Sequence, residues 1–186
     1  MAAKSQIFAF FGTDEALVKE EALKLSRQLT PEDNQDFGLD LINGTAETAD
    51  HASSIVSDTI AALQTLPFLG GDKTVWLQGA NFFADSVTGR AQATVAAIDR
   101  LADVLEAGLA PGVYLIISGM GIDKRRSFYK KLGKVGKLNT FDLPDPSRPG
   151  WEQEVMSLAD ERAGNLGFGF GQDALEHFVM LTGENT

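Results

Sequence analysis

Hydrophobic residues follow two different patterns along the 186-residue chain. Short, nearly continuous apolar runs predict buried strands at residues 7–11, 37–42, 73–77, 113–118 and 138–143. Between and after these runs, apolar residues recur three or four positions apart, which predicts helices with one buried face. The predicted helices span residues 15–28, 49–63, 91–107, 125–132, 151–163 and 172–181.

The alternation of strands and helices over the first 143 residues predicts the fold class. Parallel strands need long crossover connections, and a helix is the usual crossover. We therefore predict an α/β fold with a five-stranded, mostly parallel sheet that is covered by helices on both faces. This is the type of fold found in P-loop nucleotide-binding proteins.

Proline marks the expected domain boundary. Residues 144–149 contain three of the six prolines and are predicted to form a linker. This linker would separate an α/β domain at residues 1–143 from an incomplete helical second domain at residues 150–186. Residues 182–186 resemble a helix C-terminus that leads onward, so we expect the chain to be a fragment of a longer protein.

Composition narrows the classes of partner. The formal net charge of −10 argues against broad nucleic-acid binding. No apolar run approaches the roughly 20 residues that span a bilayer, so we expect no membrane partner. The absence of cysteine excludes disulfides and thiolate metal sites, and it fits a cytoplasmic location.

The turn after the first strand is the place where folds of this type usually bind phosphate. A phosphate loop needs several glycines, a lysine, and a serine or threonine. Residues 11–16, FGTDEA, contain one glycine and no lysine, and the carboxylates of Asp14 and Glu15 would repel phosphate. The sequence therefore predicts an ATPase-like architecture without a nucleotide site, and we expect no cofactor.

Other catalytic patterns are also missing from the sequence. His51 and His177 lie far apart and have no residues near them at metal-ligand spacing. The chain has no Gly-x-Ser-x-Gly elbow that would present a serine nucleophile. We predict no catalytic residue and no metal site, and we interpret the chain as a binding module.

An apolar loop is the most unusual feature of the sequence. Leu66, Pro67, Phe68 and Leu69 precede two glycines between a predicted helix and a predicted strand. Large apolar side chains on a loop are candidates for insertion into a partner's pocket. The alternative is that Phe68 and Leu69 fold back on the domain's own core, and the residues alone leave both interpretations open.

A basic stretch contrasts with the acidic remainder of the chain. Seven basic residues and no acidic residue lie between Lys124 and Lys137. One interpretation is a solvated helix face with cations favouring its C-terminal end. The other is a contact for an acidic partner or for DNA phosphates. The candidate contact residues are Lys124, Arg125, Arg126, Lys130 and Lys131.

Four stretches of the sequence resemble one protein family. They are FFGTDEALVKEEAL, LQTLPFLGGDKTVWLQGANFF, IDKRRSFYKKLGKVGKLNTFDLP and the tail WEQEVMSLADERAGNLGFGFGQDALEHFVMLTGEN. Each stretch alone is a weak signal, but their order and spacing are similar to the N-terminal part of the delta subunit of the bacterial DNA polymerase III clamp loader. The resemblance covers essentially the whole chain.

The resemblance implies a non-catalytic subunit of the DNA polymerase holoenzyme, with a fold related to the clamp-loader ATPases. In the family, two apolar residues at the tip of the N-terminal domain enter a pocket on the sliding clamp and help to open the ring. Phe68 and Leu69 match that pair, and Leu66 and Pro67 shape the loop. The implied partners are the sliding clamp and, in the full-length protein, the other loader subunits, with DNA only indirectly. The family's C-terminal collar domain is not in this sequence, so we expect clamp binding without loader assembly.

Three rival interpretations remain. The paralogous delta-prime subunit typically carries a cysteine-ligated zinc module, and the absence of cysteine argues against it. The second is an ATPase or GTPase with an atypical phosphate loop. The third is a general protein-interaction domain outside replication.

Overall fold

A computed structural model of the chain describes residues 5–30, 38–66 and 71–182. The described residues fall into two compact units that divide between Phe141 and Asp142. The first unit is an α/β layer structure and the second is helical, and each is described by itself.

The five strands of the first unit form one sheet. They are β1 (Ile7–Phe11), β2 (Leu39–Asn43), β3 (Lys73–Gln78), β4 (Val113–Gly119) and β5 (Lys137–Thr140). Their order across the sheet is β2-β3-β4-β1-β5, and every pairing is parallel. All strands therefore run in the same direction. We call the side of the sheet where the strands begin the amino edge, and the side where they end the carboxyl edge.

Among the described residues of the first unit, five helices accompany these strands. They are α1 (Glu15–Leu29), α2 (Ala49–Gln64), the short α3 (Val87–Arg90), α4 (Gln92–Ala107) and α5 (Ser127–Val135). Asp14 and Thr48 cap α1 and α2 by accepting hydrogen bonds from the backbone N–H groups of Leu17 and His51.

The sheet is buried on both faces because its residues alternate between two hydrophobic layers. Ile7, Ala9 and Phe11 of β1 belong to the layer that packs with α2, α4 and α5. Phe8 and Phe10 point the opposite way and pack with α1. The apolar run of β1 therefore reflects a central strand covered on both sides.

The second unit contains α6 (Trp151–Asn165) and α7 (Gln172–Thr182). Val155, Ala159 and Ala163 repeat at every fourth position of α6 and are buried. The rings of Phe170 and Phe178 lie 5.2 Å apart and join the connecting segment to α7. In the part of the chain that the structure describes, no helix is long and apolar enough to cross a membrane.

Most strands and helices were predicted correctly from the sequence, with differences at their ends, but the short helix α3 was not predicted. The last strand ends at Thr140 and does not reach residue 143. The Phe141 N–H still bonds to Phe11 of β1, but the Phe141 carbonyl bonds to Asp14 in the turn after β1. The basic helix begins at Ser127, two residues later than predicted. Phe37, the expected start of the second strand, lies outside the described residues.

Two phenylalanines in the irregular segment after β3 have a clear packing role. Phe82 and Phe83 follow β3 and are buried, and Phe83 packs against Phe11 and Phe128 at ring distances of 5.7 and 4.9 Å. This aromatic cluster joins the exits of β1 and β3 to α5.

Candidate functional site

The turn from β1 into α1 is filled by the chain's own backbone. Gly12 has a φ of +152°, and a Cβ built on it would lie 1.8 Å from the carbonyl oxygen of Phe141. The Phe141 N–H donates to the Phe11 carbonyl at 2.8 Å, and its carbonyl accepts from the Asp14 N–H at 3.0 Å. The segment after β5 thus lies directly against the position where a phosphate loop would open.

Asp14 occupies the positive end of α1. It is only 5% exposed, and one carboxylate oxygen accepts from the Leu17 N–H at 3.0 Å. A carboxylate at a helix N-terminus satisfies the same N–H groups and the same dipole that would otherwise attract a phosphate. The predicted loss of a phosphate loop therefore has a structural basis in Gly12, Asp14 and Phe141.

A cavity of about 410 Å³ lies at the carboxyl edge beside this turn. Its lining includes Lys19 of α1, Gln78 of β3 and Ser118 of β4. The Ser118 hydroxyl already accepts a hydrogen bond from the Trp76 ring N–H at 3.0 Å. Among the described residues, no group of histidine and carboxylate side chains could hold a metal ion.

The apolar loop leaves the opposite edge of the sheet, between α2 and β3. Leu66, the first of the four predicted site residues, is 69% exposed one residue after the C-cap of α2. Pro67, Phe68 and Leu69 lie outside the described residues. The chain is described again from Gly71, which has open space around it.

Lys73 lies where the loop returns to the sheet. Its side chain is 7% exposed, and its ammonium group lies 2.8 Å from an Asp40 carboxylate oxygen. The same group donates to the carbonyl of Ala62 at 2.8 Å and to that of Thr65 at 3.4 Å. A lysine is rarely this buried without partners, and here three acceptors match its three N–H donors.

The basic stretch is partly neutralised by nearby acids. Arg125 lies 2.8 Å from Asp123 and 2.6 Å from Asp85. The hydrogen bond from Arg125 holds the pKa of Asp123 well below its usual range. The same pairing, first with Asp123 and then with Asp85, raises the pKa of Arg125. Arg126 pairs with Asp123 at 3.4 Å and donates to the Gly89 carbonyl at 2.7 Å.

The remaining basic candidates differ in their surroundings. Lys131 lies 2.9 Å from Glu106 and 3.4 Å from Asp103, and the hydrogen bond to Glu106 raises its pKa. Lys124 is exposed in the turn before α5, and Lys130 is exposed on the helix itself. Arg125, Arg126 and Lys131 therefore help to fasten α5 and its preceding turn to the rest of the unit.

Two features of this arrangement escaped the sequence-based predictions. Asp85, Asp103 and Glu106 pair with the basic stretch from more than 20 residues away, and this distance in sequence hid the pairing, whereas Asp123 lies only two residues before Arg125. Lys73 was interpreted only as the start of a strand. A charged residue at the head of the buried run KTVWL was the available signal, because a buried charge requires partners.

The family described as "DNA polymerase III, delta subunit" matches residues 8–141, a range that begins at the second residue of β1 and includes β2 to β5. No curated protein matches the sequence.

Solved structures give a similar result for the fold. The Bacillus subtilis DNA clamp loader delta protein matches with a TM-score of 0.65 at 18% identity, over 97% of this chain and 49% of that one. A chain in the E. coli MS115-1 HORMA:CdnC:Trip13 complex matches with a TM-score of 0.55 at 14% identity, over 96% of this chain and 60% of that one. The chain thus spans about half the length of the clamp loader delta protein that it resembles.

Proposed function

The chain belongs to the DNA polymerase III delta subunit family, and from this premise we propose that it binds the sliding clamp through the apolar loop at residues 66–69. Phe68 and Leu69 enter a hydrophobic pocket on the clamp, and Leu66 and Pro67 shape the loop. The family is a non-catalytic part of the clamp loader. In the full-length protein the other loader subunits are the further partners, in the cytoplasm.

The exposure of Leu66 is the observation that carries this proposal. A leucine that is 69% exposed, at the start of a run of large apolar residues, presents apolar surface to solvent. A contiguous group of large apolar residues on a loop is a common mark of a protein-binding site. The closed turn at Gly12 and Asp14 supports the same function indirectly, since it favours protein binding over nucleotide binding.

Ring opening follows from differential binding. Fully burying Phe68 and Leu69 would contribute about 1.5–3 kcal/mol each. A clamp ring is closed by its own interfaces, so the subunit can favour opening only by binding the open ring more tightly than the closed ring.

The direct test is the affinity of the chain for a bacterial sliding clamp, measured by surface plasmon resonance. We expect Phe68→Ala combined with Leu69→Ala to weaken binding by at least about 100-fold. Val87→Ala is the matched control, because Val87 is an 83% exposed apolar residue elsewhere in the same unit. Unchanged affinity of the double variant would refute the anchor assignment.

A second contact, with DNA phosphates, is proposed for the exposed basic residues Lys124 and Lys130. Substitution of Lys130 tests it more cleanly than substitution of Lys131, whose loss would also break pairs with Asp103 and Glu106. We expect Lys130→Glu to weaken binding of duplex DNA at low salt and to reduce its salt dependence. Equal DNA affinity of the wild type and Lys130→Glu would refute the DNA contact and leave the interpretation of the basic stretch as a solvated helix face.

A further inference from the structure

We propose that Lys73 is a positioning residue that holds the end of α2 and the start of β3 together and so fixes the two ends of the apolar loop for its partner. This inference rests on the proposed function of residues 66–69. Lys73 is not itself a contact for the clamp. It acts on the segments from which the loop leaves and to which it returns.

The ammonium group of Lys73 links three parts of the chain. Ala62 lies in the last turn of α2, and Thr65 is the C-cap of that helix. Asp40 lies in β2, an outermost strand of the sheet. The distances from Lys73 Nζ to their oxygen atoms are 2.8, 3.4 and 2.8 Å, respectively. One side chain therefore ties the helix that enters the loop to the sheet that receives it.

The location suits a cation for two reasons. The last carbonyl groups of a helix lack partners within the helix and carry the negative end of its dipole. The Thr65 N–H and hydroxyl already bond back to Ala61, so the end of α2 is itself fixed. Lys73 adds a donor to the Ala62 and Thr65 carbonyls, and it does so from within the strand.

The strand side of this link is fixed independently. The Lys73 N–H donates to the Gly112 carbonyl at 2.7 Å, just before β4. The hydroxyl of the next residue, Thr74, accepts from the Thr30 hydroxyl at 2.8 Å in a buried pair. The sheet thus fixes the position of the Lys73 backbone. The side chain of Lys73 in turn holds the end of α2 through its hydrogen bonds.

Fixing the ends of the loop before binding has a measurable consequence. A partner that must immobilise mobile side chains loses affinity, and ends fixed in advance reduce that loss. Lys73→Met keeps a similar volume and removes the three polar contacts. We expect it to speed hydrogen–deuterium exchange in peptides covering residues 65–72, and to weaken clamp binding by about two- to tenfold.

Two further variants make the test specific. Asp40→Asn removes the charge of one of the three partners. It should change hydrogen–deuterium exchange and clamp affinity in the same direction as Lys73→Met, but by a smaller amount. It also keeps the proposal testable if Lys73→Met folds poorly. Ile98→Val is the control, because it loosens a buried core position in α4 without touching the loop ends.

The outcomes separate this inference from the proposed function. If Lys73→Met matched Ile98→Val in the hydrogen–deuterium exchange of residues 65–72 and in clamp affinity, the role of Lys73 would be overturned. Faster loop exchange with unchanged clamp affinity would overturn it as well, provided that the Phe68 and Leu69 double variant binds weakly. Normal binding by that double variant would instead refute the loop as the clamp site, and the positioning role would fall with it.

Discussion

The two edges of the sheet differ in what occupies the ends of the strands. At the carboxyl edge, the Phe141 backbone and the Asp14 carboxylate fill the turn between β1 and α1. At the amino edge, Leu66 is exposed to solvent and the buried Lys73 ties the loop ends to the sheet. The edge that usually binds phosphate is closed by the chain itself, and the opposite edge presents apolar surface.

This difference shows how one architecture can change its function without changing its strands. The nucleotide site of such a fold depends on the few residues of a single turn. Here that turn is tightly packed, so its residues contribute to stability. We therefore expect substitutions at the carboxyl edge to affect mainly the free energy of unfolding, and substitutions at the apolar loop to affect mainly clamp affinity.

The largest effect on stability is expected for Gly12→Ala. The new Cβ would overlap the Phe141 carbonyl, which is backbone and cannot rotate away. Backbone strain and overpacking together should lower the free energy of unfolding by roughly 2–4 kcal/mol, as measured by urea denaturation.

Gly133→Ala provides the matched control for that variant. Gly133 lies within α5, and a Cβ there meets open space. Alanine is the better helix former, so we expect this variant to gain up to about 1 kcal/mol. Equal stabilities of Gly12→Ala and Gly133→Ala would contradict the close packing of the turn.

At the amino edge, Thr74→Val tests the buried pair of hydroxyl groups next to Lys73. The Thr30 hydroxyl would lose its acceptor at Thr74 while staying buried, at a cost of about 1–3 kcal/mol. Adding Thr30→Val should recover part of that loss, because neither position then carries an unpaired polar group. A double variant less stable than Thr74→Val alone would argue against the pairing.

The cap of α1 should contribute less to the free energy of unfolding than the pair of Thr30 and Thr74. Asp14→Ala removes the acceptor for the Leu17 N–H and should cost about 1 kcal/mol, whereas Asp14→Ser retains a capping oxygen and should cost less. We also expect no ATP binding by Asp14→Ala in titration calorimetry, since the Phe141 backbone still occupies the turn. Clear ATP binding would reopen the interpretation as a nucleotide-binding protein.

Much of the fold could be predicted from the sequence because its strands are continuous apolar runs and its helices are strongly periodic. The strand order could not be predicted, since hydrophobic periodicity carries no information about which strands are neighbours. The closed turn was only half predicted. The carboxylates and missing lysine of residues 11–16 argued against phosphate, but the approach of Phe141 to Gly12 depends on a contact between distant segments.

The candidate site was predicted less completely. The apolar character of residues 66–69 is local and therefore visible in the sequence, as is the positive charge of residues 124–137. Apart from Asp123, the acids that pair with those charges are not local. Asp85 lies forty residues from Arg125, and Asp40 lies in a different strand from Lys73. Electrostatic pairing across a sheet needs the topology before it can be predicted.

The smallest expected effect is the pH dependence that Asp123 contributes at the carboxyl edge. Pairing with Arg125 lowers the pKa of Asp123 in the folded state, so the unfolded chain takes up a proton first as the pH falls. The stabilisation is complete above the ordinary pKa of 3.8 and is lost progressively below it. It should be small, because Arg125 is largely exposed to water and salt. We expect Asp123→Asn to lower the midpoint of thermal unfolding slightly at pH 7, with a difference from the wild type that shrinks below pH 4. A difference that grows on acidification would show that Asp123 is not held as a carboxylate by Arg125.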